Sequence, residues 1–453
     1  MRGVSIAILV LSACDPFVFD DLEDQAGIRA LEQPDDYPGR NFGGVLTAWQ
    51  GDIDGEAVSR LGVTAGLGTP YVVYRAWDEH DIRLDAALHD GCDDPDECAP
   101  GAGAALAGLP VWRAGLPDEG RMCILIGAPI ESKAVVRCET GTFAGTGEIF
   151  TGPMGTAFGS SAVALPAGTA IGVALIGAPD ANGRAGGVFR LTATGAAVEL
   201  SSPEVDSARL AAGRLGETLA ATSLSGGVTL VAAGAPAAKR VVVLGVSDAG
   251  GGAASVTVHA CLDDESTGFG SALAFGDLDS DGTPDLFVGS GAAGEPEVRM
   301  YRGDMLPAPG SCVDWPGSTV VACPRGLRDG LVECAGSGFG AALATGDVDG
   351  NGTDDLIVGA PNATVGGTSQ AGAVFVLGGG GVPGASVSDV LTLSQGEGGD
   401  RLGAAVTAVP SHLDGTTRFE PATGAPGRGV VAVFLCSGLP GDGPDIGARC
   451  VER

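Results

Sequence analysis

Short apolar runs recur along this chain, and each is cut off by glycine and proline. Ile124-Leu-Ile-Gly-Ala-Pro129, Ala174-Leu-Ile-Gly-Ala-Pro179, Val231-Ala-Ala-Gly-Ala-Pro236, Ile357-Val-Gly-Ala-Pro361 and Thr423-Gly-Ala-Pro426 share that ending. Runs of this length between breakers predict buried strands rather than helices. A further strand is predicted after several of them, at 187–191, 241–244, 372–377 and 429–434. Upstream stands an aromatic or leucine followed by glycine: Phe42-Gly43, Phe158-Gly159, Leu215-Gly216, Phe269-Gly270, Phe339-Gly340 and Leu402-Gly403. Residues 104–129 lack a clean pair of this kind but keep the ending. Unit starts therefore fall near 42, 104, 158, 215, 269, 339 and 402, giving seven units of about 54 to 70 residues. Each has room for four short strands, and such a sheet cannot bury both faces alone. Radial stacking of four-stranded sheets covers those faces and protects their edges, which is a β-propeller.

Two units are nearly copies. Residues 269–289 and 339–359 agree at 14 of 21 positions, and the polar residues inside them are regularly spaced. Asp277, Asp279, Asp281 and Asp285 in one copy correspond to Asp347, Asp349, Asn351 and Asp355 in the other, at loop positions one, three, five and nine. The backbone carbonyls of Thr283 and Thr353 are expected at position seven, and Gly282 and Gly352 permit the tight turn. Such spacing wraps oxygens around one hard cation, and Ca2+ tolerates the flexible geometry better than Mg2+. Without a cation, the clustered acidic and amide side chains repel one another. An EF-hand is excluded, because Val288 and Val358 occupy position 12, where that loop needs a bidentate glutamate. Two calcium sites are expected, structural rather than catalytic. The first unit carries a degraded version: Asp52, Asp54 and Glu56 keep the register, but Ala57 replaces the glycine and Arg60 replaces the last aspartate. Arg60 is expected to supply an internal cation there in place of a metal.

The framework F-G…D-x-D-x-[DN]-G-x-x-D-L-x-V-G…G-A-P resembles the FG-GAP repeat family, typified by the N-terminal propeller of integrin α subunits. The resemblance covers roughly residues 40–435 and is strongest in the fifth and sixth units. It implies an all-β fold, a seven-bladed β-propeller of four-stranded antiparallel blades. It also implies that the acidic loop joins the first two strands of a blade and binds calcium on the face away from any ligand. The segment before the first repeat is expected to supply the outer strand of the last blade, as in related propellers.

Composition agrees with this reading. The 78 glycines and 27 prolines disfavour long helices, and apolar residues at 44% suffice for a core. Net charge is −31 with only two lysines, Lys133 and Lys239, so partnership with nucleic acid or anionic headgroups is excluded. At the N-terminus, Arg2 precedes an apolar stretch and then Leu11-Ser12-Ala13-Cys14, which resembles the lipobox of bacterial lipoproteins. The resemblance implies a signal peptide over 1–13 and diacylation of Cys14. The remaining regions are then 14–41 with the closing strand, the propeller over 42–435 and a tail over 436–453. Ten cysteines remain in an exported chain, so disulfides are expected. Candidate pairs are Cys92 with Cys98, Cys123 with Cys138, and Cys436 with Cys450, while Cys261, Cys312, Cys323 and Cys334 leave three pairings open.

The expected function is that of a lipid-anchored cell-envelope binding, adhesion or scaffold protein, with an envelope protein or polysaccharide as partner and contact with the membrane through the anchor alone. The long loops at 180–186 and 362–371, after the G-A-P endings, are where recognition is expected. The alternative is a hydrolase or polysaccharide-active enzyme with its site in the axial funnel, but His80, His89, His259 and His412 show no nucleophile beside them. Arg302-Gly303-Asp304 spells a cell-adhesion tripeptide that chance accounts for in a chain this rich in glycine and aspartate. The acidic stretch 90–97 reads as a solvated loop and the glycine run 378–381 as a turn.

Overall fold

The computed structural model describes residues 28–32, 42–53, 56–64, 72–77, 87–90, 102–110, 122–138, 148–166, 171–192, 196–250, 253–291, 297–310, 312–324, 332–380, 387–391, 397–411 and 418–434. Cys14, Cys92, Cys98, Cys436 and Cys450, with the signal segment and the C-terminal tail, lie outside them.

Strand β1 (Ile28–Glu32) opens the described chain, and its partner comes at the other end. The antiparallel four-stranded sheets then follow in sequence. The first is β2 (Leu46–Ile53), β3 (Glu56–Val63), β4 (Val72–Trp77) and β5 (Ala87–Asp90); the next is β6 (Ala105–Leu109), β7 (Cys123–Ala128), β8 (Lys133–Cys138) and β9 (Glu148–Thr151). After them come β10 (Ser161–Ala164), β11 (Ala174–Gly177), β12 (Val188–Leu191) and β13 (Ala197–Glu199), then β14 (Thr218–Leu224), β15 (Val228–Ala235), β16 (Arg240–Gly250) and β17 (Ala253–Asp263). The two near-identical units form β18 (Ala272–Gly276), β19 (Asp285–Gly289), β20 (Glu297–Tyr301) and β21 (Thr319–Ala322), and, after a short β22 (Val332–Glu333), β23 (Ala342–Gly346) and β24 (Asp355–Ala360). Short β25 (Thr364–Val365) pairs with β22, and β26 (Ala373–Leu377) and β27 (Val387–Leu391) complete that sheet. The last sheet holds β28 (Ala405–Ser411), β29 (Arg418–Ala425) and β30 (Val430–Phe434). Its fourth strand is β1, running antiparallel to β30 from Ile28 opposite Phe434 to Glu32 opposite Val430.

The sheets pack face to face around a ring. The first strands touch in the order β2, β6, β10, β14, β18, β23, β28 and back to β2. A separate apolar cluster fills the space between each sheet and the next. Leu175 and Val188 meet Val231, Val242 and Leu244. Phe287 and Met300 meet Phe339, Val358 and Phe375. At the seam between the end of the chain and its start, Leu31, Val431 and Val433 meet Phe42, Leu61 and Val63. Burying one such side chain contributes about 1.5–3 kcal/mol.

The glycines of the repeat signature set the spacing between sheets. From the second unit on, each second strand carries a glycine at or next to its end whose α-carbon lies against the carbonyl of the next unit's early glycine. A β-carbon would stand 2.0 Å from Gly216 O at Gly177, 2.1 Å from Gly403 O at Gly359 and 1.9 Å from Gly43 O at Gly424. The receiving glycine also needs the left-handed region, with φ of +93° at Gly216 and +90° at Gly403. The Gly424–Gly43 contact joins the last sheet to the first. The preceding Phe42, Phe158, Phe269 and Phe339 are buried, and Leu215 and Leu402 take the same place.

Sequence reasoning did not anticipate one helix, α1 (Pro203–Ala212), which packs on β16 and β17 through buried Val205 and Ala208. Ser202 caps it, its Oγ accepting from Val205 N at 3.2 Å. Among the described residues no helix is long and apolar enough to cross a membrane. Disulfides join Cys123 to Cys138, Cys261 to Cys312 and Cys323 to Cys334, which resolves the three pairings left open by the sequence.

Candidate metal centres

The two acidic loops connect the first and second strands of neighbouring sheets. In the first, Asp277 follows the end of β18 and Asp285 opens β19. Between them the chain folds back over its own carboxylates. Asp277 accepts from Asp281 N at 3.1 Å and from Gly282 N at 2.9 Å, and Asp281 accepts from Thr283 N at 2.7 Å. Ser280 and Gly282 take positive φ, 57° and 82°, to allow this. Buried Leu278 pins the loop to the core.

The second loop, 347–355, repeats the arrangement. Asp347 Oδ1 accepts from Gly350 N at 2.7 Å and Asn351 N at 3.0 Å, and its Oδ2 accepts from Gly352 N at 2.8 Å. Asp349 receives both the backbone N–H and the side-chain amide of Asn351, at 3.0 and 2.9 Å. Asn351 Oδ1 in turn accepts from Thr353 N at 2.7 Å.

Carboxylate oxygens of Asp277, Asp279 and Asp281 lie within 4.8 Å of one another, as do those of Asp347, Asp349 and Asp355. Asp285 is wholly buried and accepts from Gly303 N at 2.8 Å and Leu278 N at 3.3 Å. Asp355 accepts from Gly379 N and Val348 N, both at 2.8 Å. Burial pushes both carboxyls up to about 6. Asp279 is raised as well, by burial first and by repulsion from Asp281.

The donor set fits a hard divalent cation. Every side-chain donor is an oxygen, and Asp279 Oδ1 is buried with no hydrogen-bond partner. A cation held there would supply the missing partner and offset the repulsion. Asp277, Asp279 and Asp281 would hold it in one loop, and Asp347, Asp349 and Asp355 in the other.

The loops also interlock, which spacing along the chain did not reveal. Asp277 N donates to Asp354 Oδ2 at 3.0 Å, Asp354 N donates to Asp277 O at 3.3 Å, and Ser280 Oγ meets Thr353 Oγ1 at 2.6 Å. The second loop continues the chain of contacts, with Phe419 N donating to Asp347 O at 2.9 Å.

The first unit is different. Pairing of β2 with β3 runs unbroken to Ile53 opposite Glu56, so Asp52 and Glu56 sit on a tight hairpin instead of a wrapped loop. Arg60 lies within β3, opposite Trp49, buried, and its Nη1 donates to Ser59 O at 3.1 Å. Asp54, between these two strands, lies outside the described residues. The tripeptide 302–304 is built into the fold: Gly303 is buried and bonds Asp285, and Arg302 O accepts from Trp315 Nε1 at 2.9 Å.

At the opposite ends of the second strands lie the segments after G-A-P. The segment 180–186 carries Asp180, which pairs with Arg214 of the next unit. The segment 362–371 carries β25, paired with β22. Since β19 and β24 start at the acidic loops and run to or just past the signature glycines, the two sets of loops face opposite ways.

The FG-GAP repeat family matches residues 269–302 and 339–377, the two units with full acidic loops. No curated protein matches the sequence. Among solved structures, the chain is similar to one in the crystal structure of BBS1N in complex with ARL6DN, soaked with lead, at 10% identity and a TM-score of 0.45, covering 86% of this chain and 92% of that one. The chain carries FG-GAP repeats arranged as an all-β propeller of four-stranded antiparallel blades.

Proposed function

We propose that this protein is an exported, calcium-stabilised propeller of seven blades that acts as a binding or scaffold module at the bacterial cell envelope. The division of labour between the two ends of each blade carries this reading. One end holds acidic loops whose hydrogen bonds and contacts tie adjacent blades together. The other presents ordered segments such as 180–186 and 362–371 on a rigid frame, where recognition is commonly placed. The sheets and the circular order of their first strands support the count of seven. Three disulfides suit an oxidising compartment. The lipobox-like segment ending at Cys14 supports cleavage after residue 13 and a lipid anchor ahead of a propeller over 42–435 and a tail over 436–453.

Two measurements test this. Mass spectrometry of the mature N-terminus should find a diacylated Cys14; an intact Met1 or an unmodified cysteine refutes the anchor. Binding to envelope polysaccharides and proteins should be lost when 362–371 is trimmed and retained when the acidic loops are neutralised. The reverse pattern would assign recognition to the acidic face.

A further inference from the structure

Hydrogen bonds cross from the second acidic loop to the first, and they start beside the expected ligand positions of the second. Asp354 stands between Thr353, whose carbonyl is expected at position seven, and Asp355 at position nine. It is half-buried and engages the leading residue of the first loop from both sides. Its Oδ2 accepts from Asp277 N at 3.0 Å, and its own N–H donates to Asp277 O at 3.3 Å. Beside it, Thr353 Oγ1 lies 2.6 Å from Ser280 Oγ. Gly380 N donates to Leu278 O at 2.8 Å, one residue after Gly379, whose N–H is held by Asp355 Oδ1. Asp277 in turn folds the first loop by accepting from Asp281 N and Gly282 N. In the first copy the place of Asp354 is taken by Pro284, which has neither an N–H nor a carboxylate to offer. Flanking charge does not set the loops apart, since an arginine stands beside each, Arg302 against Asp279 and Arg418 over Gly350.

We infer that the two loops take up divalent cations cooperatively, with Asp354 as the residue that couples them. Filling the second loop fixes the backbone of 353–355 between two ligand positions, and so holds Asp354 against both sides of Asp277. The first loop then has less freedom to lose when it binds, which is positive coupling. By linkage, filling the first loop tightens the second by the same factor. Repulsion between two divalent ions works the other way. Salt screens it, and the carboxylate of Asp354 places a negative charge at the junction of the loops. This inference rests on the calcium reading proposed above. Asp354 is a positioning residue, acting through Asp277 while the loop carboxylates make the contacts.

The test is calcium titration by calorimetry on the full chain at about 0.15 M salt. Asp279→Ala leaves the second loop as the binder and Asp349→Ala leaves the first, and neither residue makes the contacts between the loops. The product of the parent's two dissociation constants should be smaller than the product of the two single-loop constants by about fivefold or more, the lower end of usual coupling between sites. Repeating the cycle in Asp354→Ala should bring that factor to about one. Asp354→Asn, which keeps an acceptor for Asp277 N, should preserve it. Thr353→Ala removes the Ser280 contact alone and should lower the factor without abolishing it, which serves if Asp354→Ala does not fold. A parent factor of about one or below, or a factor unchanged by Asp354→Ala, would overturn the inference and leave two independent calcium sites. Loss of the factor in Asp354→Asn as well would overturn the hydrogen-bonded route. Absence of calcium binding by the unmodified chain would instead refute the calcium reading itself.

Discussion

On the calcium reading, Asp285 and Asp355 should make the propeller's stability depend on pH in opposite directions with and without a cation. Each opens the second strand of its blade, is buried, and has its carboxyl pushed up to about 6 from an ordinary 3.8. In cation-free protein the native state then binds more protons than the unfolded state between those values. Stability must fall as pH rises through that window and is greatest on its acid side. The shift is about two units per carboxyl, at most about 3 kcal/mol each. Both carboxyls are buried, so little of this is screened, and the pair is worth several degrees in melting temperature. If the loops hold calcium as proposed above, it reverses the sign, because a cation favours the ionised carboxylates around it. At a hundredfold excess over Kd each loop gains about 2.7 kcal/mol near neutrality, and protons remove that gain below the window. Thermal melts followed by circular dichroism, at about pH 5 and about pH 7.5, in excess chelator and in excess calcium, should give lines that cross. General relief of the −31 net charge also favours acid, so the Asp285→Asn/Asp355→Asn double variant is the control. Identical slopes for variant and parent in chelator, or a calcium gain equal at both pH values, would refute the reasoning.

Other perturbations separate the remaining elements. Gly359→Ala places a methyl 2.1 Å from Gly403 O and should cost about 3 kcal/mol or more in chemical denaturation, whereas Gly282→Ala, at φ +82° with open space around it, should cost only about 1–2 kcal/mol. Removing the Cys261–Cys312 bridge by serine substitution should lower stability by about 4 kcal/mol in denaturant melts, from the entropy of freeing a loop of 51 residues. A chain beginning at Asn41 lacks β1 and leaves the edge of β30 unpaired, so it should unfold without cooperativity and self-associate by light scattering.

What could be read from the sequence follows from the range of the interactions involved. The F-G and G-A-P signatures are local records of a contact repeated from blade to blade, so the strands ending at Gly177, Ala235 and Ala360 stand where the breakers placed them. The acidic loops were visible because Asp277 to Asp285 lie within a single turn. Asp354 was not, since its bond to Asp277 depends on which blade sits beside which. Arg302 joined the same site only through strand pairing, and an arginine next to glycine and aspartate reads first as a chance tripeptide. In the first unit the acidic spacing survives only in part, and there the two strands pair up to Ile53 opposite Glu56.

Strand β1 also sets the order of events in synthesis. It emerges first and pairs with β30, about 400 residues later, and Gly43 waits for Gly424 across the same seam. The earlier blades can stack as they appear, but the circle stays open until β30 arrives. A prematurely terminated product therefore exposes two raw strand edges at once, its own last blade and the unmatched β1, and presents itself to proteases in a way the finished ring does not.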